Sequence, residues 1–125
     1  MTQEVFDREA RFYSALAHPV RLQILDILTQ GEACVCHLVA VLQQRQAYVS
    51  QQLAILKEAG LVADRKVGLY VYYHLADTDI VRVLREVRLR LATASGEESL
   101  LQIRLPARAE LNCSCPECRA ERSHL

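Results

Sequence analysis

The stretch QAYVSQQLAILKEAG, residues 46–60, decides the fold. Val49, Leu53 and Leu56 recur at the three- and four-residue steps of one helical face, and Gly60 supplies a stop. The same spacing turns Ala47, Gln51 and Ala54 outward, flanked by Tyr48 and Ser50. Just upstream, CHLVAVLQ (36–43) extends a short helix with Val35, Leu38, Val39 and Leu42 on one face. Only a few polar residues separate the two helices, so the pair reads as a helix-turn-helix.

Toward the N-terminus, HPVRLQILDILTQG (18–31) places a proline where a first helical turn tolerates it. Val20, Leu22, Ile24, Leu25, Ile27 and Leu28 follow, and Gly31 ends the run. Such an apolar helix belongs in the core. Before it, Val5, Ala10, Phe12, Tyr13 and Leu16 recur loosely at helical spacing. Toward the C-terminus the period changes. In LVADRKVGLYVYYHL (61–75), Val71, Tyr73 and Leu75 alternate with Tyr70, Tyr72 and His74, with Val67-Gly68 as the expected turn of a β-hairpin. Ile80, Val83, Leu84, Val87 and Leu91 then mark a fifth amphipathic helix, opened by Asp77 or Asp79 as a cap. The expected class is mainly α with a small β-hairpin. Residues 1–92 form the domain, and residues 93–125 form a linker and a cysteine-containing tail.

With 125 residues, about half of them apolar, the chain has material for one packed domain. Its N-terminal stretch carries charges throughout, unlike a signal peptide or membrane anchor, and no run approaches the roughly 20 apolar residues of a spanning helix. A cytoplasmic location is expected, where thiols stay reduced. Five cysteines, an odd number, argue against a simple disulfide framework. Fifteen basic residues balance fifteen acidic ones, so any affinity for nucleic acid must come from local patterning.

Helix, helix, helix-turn-helix, hairpin, helix is the order of a winged-helix DNA-binding domain. ALAHPVRLQIL (15–25), GEACVC (31–36), YVSQQLAILKEAGLV (48–62) and RKVGLYVYYHL (65–75) together resemble the ArsR-SmtB family of metal-responsive repressors, over roughly Phe12 to Leu84. The resemblance implies a homodimer that binds double-stranded operator DNA and leaves it when a metal or metalloid binds. It also implies a dimer interface built from the N- and C-terminal helices. One recognition helix per chain points to an inverted-repeat operator, each subunit reading one half-site.

For DNA contact the candidates are Gln46, Ala47, Tyr48, Ser50 and Gln51 on the fourth helix, where Gln51 can bond an adenine edge through both the oxygen and the nitrogen of its amide. Arg65 and Lys66 on the hairpin can neutralise phosphates. Glutamines on an exposed helix also simply keep it soluble, and it is the resemblance that favours DNA. Gln52 stands where many relatives carry histidine, and Leu69 where they often carry a basic residue, so operator sequence does not transfer and the wing is expected to be a weaker electrostatic contact. The tyrosines of the hairpin read as packing groups.

Cys34 and Cys36 match the family's thiol sensor box. On a regular helix residues two apart point about 200° from one another, so joint ligation needs an unwound or extended first turn. Ligation is therefore expected to distort the third helix. Two thiolates suit soft ions such as cadmium or lead, and also zinc; arsenite and antimonite enter through the resemblance. The alternative is that both are small buried hydrophobes. His37 is read as exposed. Cys113, Cys115 and Cys118 in the tail can complete the site, hold a separate ion or stay unused, since an extended linker from Ala92 reaches up to roughly 70 Å. A further family site on the fifth helix would need Asp77, Asp79 and two later ligands, but Arg90 and Thr93 occupy those positions and do not suit a metal.

Two rivals share the residues. The same repressor can sense oxidants or persulfide through its thiols. CPEC (115–118) has the C-x-x-C form of thiol oxidoreductases but lacks their strand-to-helix setting, so no enzyme is expected.

Overall fold

The computed structural model describes residues 2–96. Five helices and three strands follow in the order α1 (Thr2–Leu16), α2 (Pro19–Leu28), β1 (Ala33–Cys34), α3 (Val35–Leu42), α4 (Gln46–Glu58), β2 (Val62–Val67), β3 (Tyr70–Leu75) and α5 (Ile80–Ser95). The antiparallel sheet has the order β1-β3-β2. This is a winged helix-turn-helix.

Local chemistry sets the helix ends. Pro19 opens α2, where its missing N–H costs nothing, and His18 caps it by accepting the Val20 N–H on Nδ1 at 3.3 Å. Between α3 and α4, Gln43 takes a left-handed conformation at φ +52° to close α3, and Arg45 starts α4 without a side-chain cap. At α5 neither aspartate caps the helix as expected. Asp77 instead accepts the Asp79 N–H at 2.9 Å in the turn before it, and Asp79 makes no capping bond.

The core forms where α2, α3, α4 and one sheet face meet, around Ile24, Leu25, Leu38, Val49, Leu53 and Leu56, all fully buried. Leu61, Val62 and Ile80 extend it. On the opposite sheet face Cys34 and Tyr72 make a second cluster, with Cys36 and Tyr70 packed against it. An Arg88–Asp26 ion pair at 2.8 Å ties α5 to α2.

Three further expectations are corrected. The hairpin turn is Gly68-Leu69, because Val67 pairs with Tyr70. Gly68 alone takes a positive φ, +60°, the pattern of a two-residue turn with glycine first. Cys34, expected in a first helical turn, instead forms with Ala33 a third strand against Tyr72 and Tyr73. His37 is buried at 6% exposure rather than exposed, because the turn set by Cys34 faces it inward.

Candidate DNA interface and thiol site

Helix α4 presents the face read from its spacing. Gln46, Ala47, Ser50 and Gln51 are exposed, and Val49, Leu53 and Leu56 are fully buried. Tyr48 is half-buried, its hydroxyl 3.3 Å from His18 Nε2. Gln52 belongs to the other face. It is buried and its Oε1 accepts from Arg21 Nη1 at 2.8 Å, while Arg21 donates through Nε to the Ala15 carbonyl at 2.6 Å and through Nη2 to Ser14. This residue therefore joins α1, α2 and α4 and is withdrawn from base contact, a role no sequence pattern announced.

On the wing, Lys66 is exposed and Leu69 at the tip is 99% exposed. Arg65, expected on phosphate, is engaged elsewhere. Its Nε donates to Glu32 Oε2 at 2.6 Å and its Nη2 to Oε1, and its guanidinium lies over the Tyr72 ring, 5.2 Å from the centroid. Burial, with the Asp64 carboxylate added, pushes the Tyr73 phenol up, so it stays protonated at neutral pH.

The thiols converge. Cys34 is the N-cap of α3 in extended conformation (φ −78°, ψ 163°), its Sγ accepting the His37 N–H at 3.3 Å. Cys36 follows in the first turn, and the two sulfurs are joined as a disulfide across a Cα–Cα separation of 5.4 Å. The requirement for an extended first turn is thus met by strand β1 itself. Convergence needs no unwinding of α3, which removes the geometric reason for expecting helix distortion. A cleft of about 250 Å³ adjoins the pair, lined by Cys34, Cys36, Gln46, Leu69, Tyr70 and Val71. Its walls are the two cysteines, the first residue of α4 and the wing.

Among the described residues no cluster of three or more histidines, cysteines or carboxylates could hold a metal. Cys113, Cys115 and Cys118 lie outside the described residues. At the fifth-helix position Asp77 is engaged with Asp79, Arg90 pairs with Glu86 at 3.2 Å, and the Thr93 hydroxyl donates to the Leu89 carbonyl. Among the described residues, no helix is long and apolar enough to cross a membrane.

Residues 18–64 match the family described as bacterial regulatory protein, arsR family. The chain is similar to a transcriptional repressor SmtB homolog of Synechocystis, 42% identical over 87 residues that cover 70% of this chain and 66% of that protein. It is also similar to the arsenical resistance operon repressor of Escherichia coli, 43% identical over 67 residues, 53% of this chain and 57% of that protein. It thus spans under two thirds of the length of both curated relatives. The solution structure of a homodimeric winged helix-turn-helix DNA-binding domain from Mycobacterium bovis, a possible ArsR-family regulator, matches with a TM-score of 0.70 at 33% identity, over 78% of this chain and 90% of that one. With the family's model on its helix-turn-helix and the family's fold around it, the chain belongs to the arsR family of bacterial regulatory proteins, DNA-binding transcriptional regulators rather than enzymes.

Proposed function

We propose that this protein is a homodimeric repressor that holds an inverted-repeat operator through α4 and the wing and releases it when a thiophilic metal or metalloid binds the Cys34 and Cys36 thiolates. Arsenite, antimonite, cadmium and lead are the inducer candidates, with zinc a weaker one by softness. The arsenical name of the Escherichia coli relative supports the metalloids. The observation that carries the reading is the convergence of two cysteine sulfurs beside Gln46, at the entry of the DNA-reading helix. An ion held there sits where a change in local geometry bears directly on how α4 and the wing meet a duplex. Cys113, Cys115 and Cys118 complete this site, hold a separate ion or stay unused, and the tail variants Cys113→Ser, Cys115→Ser and Cys118→Ser separate the three by their effect on inducer affinity.

The deciding experiment titrates reduced protein, bound to a duplex it has selected from random-sequence DNA, separately with arsenite, cadmium, lead and zinc. Release at stoichiometric concentration by at least one of them, lost in Cys34→Ser and Cys36→Ser, is the expected result. DNA binding untouched by all four would sink the inducer assignment.

A second reading has its own support, since the two sulfurs already meet as a disulfide. In that reading an oxidant or persulfide closes the pair and the closed form leaves DNA. Oxidant alone would then release the operator, and metal under anaerobic reductant would not.

A further inference from the structure

The register of the sheet aligns three side chains in one row. Cys34 on β1 pairs with Tyr72 on β3, and Tyr72 pairs with Arg65 on β2. Directly paired residues of neighbouring strands share a sheet face. Tyr72, at 2% exposure, therefore stands between the sensor thiol and the wing arginine, and the Arg65 guanidinium lies over its ring. Glu32, two positions before Cys34, closes the row from above. Its carboxylate takes both Nε and Nη2 of Arg65, and His74 Nδ1 lies 3.8 Å from the same group. Arg65 is thus held at two points, by a carboxylate and by an aromatic face.

A phosphate presents the same paired oxygens to a guanidinium fork as a carboxylate does, with more charge. The Glu32 side chain is 22% exposed and that of Arg65 49%, so the pair is accessible to a competing anion, and pairs of this exposure shift an equilibrium by only a few-fold. We infer that Glu32 is a positioning residue for DNA binding: its carboxylate competes with backbone phosphate for Arg65 and lowers the wing's grip on the duplex. The inference rests on the reading of the wing as a phosphate-contacting element. Arg65 is then a contact held in reserve, anchored through Glu32 to the strand that carries the first sensor thiol.

The test uses the full-length reduced protein and the duplex that the wild type selects from a random-sequence pool. Binding is measured across a salt series for wild type, Glu32→Gln, Arg65→Ala and the double variant, with thermal melts confirming that each is folded. Glu32→Gln is expected to bind on the order of fivefold tighter per dimer, from two pairs released. Its plot of log affinity against log salt should steepen by about two, one added phosphate contact per subunit. Arg65→Ala alone should change affinity less than twofold, and in the double variant both gains should vanish. An unchanged slope in Glu32→Gln, or a gain that survives Arg65→Ala, overturns the inference, as does a large loss of affinity in Arg65→Ala alone. Wild-type protein that retains no duplex would defeat the DNA reading itself, whereas wild-type binding with an inert Glu32→Gln defeats only the competition.

Discussion

Gln51 and Gln52 are neighbours of identical chemistry with opposite fates, and burial separates them. Gln51 projects from the exposed face of α4, while Gln52 is buried on Arg21. Gln51→Ala should therefore relax sequence preference, with each lost bidentate base contact costing roughly 1–3 kcal/mol of discrimination; competition binding against single-base operator variants measures it. If preference and affinity both stay unchanged, Gln51 does not reach bases. Gln52→Ala should act on stability instead, by about 1 kcal/mol, because it leaves the half-buried Arg21 donor without its acceptor; chemical denaturation reports it. At the thiols, Cys34→Ser and Cys36→Ser should each preserve operator binding and remove release by the inducer. By linkage, operator DNA must weaken inducer affinity by the same factor by which inducer weakens DNA affinity. Titration of arsenite with and without the selected duplex checks that equality.

Two short elements carry strain or charge out of proportion to their length. The turn between α3 and α4 depends on Gln43 at φ +52°, a conformation costing a side chain roughly 1–2 kcal/mol that glycine avoids at some expense in unfolded-chain entropy. Gln43→Gly should therefore stabilise the domain by about 0.5 kcal/mol net, visible as a higher melting midpoint with DNA binding retained. The wing is the second such element. Lys66 is exposed on β2, so Lys66→Ala should weaken all sequences alike and flatten the salt slope by about one per subunit. A specific loss at one base position would place Lys66 in a groove rather than on the backbone.

Among the described residues, most of the exposed large apolar side chains lie on two helices. Val5, Phe6 and Tyr13 on α1 and Val83, Val87, Leu89 and Leu91 on α5 are all more than 40% exposed. Exposed apolar residues in such number on α1 and α5 fit a protein interface, and the Mycobacterium bovis structure that this chain resembles is a homodimer. Val83→Lys with Val87→Lys should convert a dimer to a monomer in sedimentation at micromolar concentration and cost most of the operator affinity, because one half-site alone then carries binding. A dimer that survives the double change would move the interface off this face of α5.

Periodicity alone determined the helices, the hairpin and the face of α4, since a helix or strand that must bury one side writes its period into the chain. It also placed Cys36 in the first turn of α3. What it missed has a common cause in contacts between residues far apart in sequence. The strand Ala33–Cys34 is too short to show a period and exists only because β3 pairs with it. His37 is buried because that strand sets the entry of α3. Arg65 is paired with Glu32, 33 positions away, and Gln52 is buried on Arg21, 31 positions away. Sequence spacing reports which side of an element faces inward. Which partner meets it there is a property of the packed chain, and at this site that packing decides which thiols meet and which arginine is engaged.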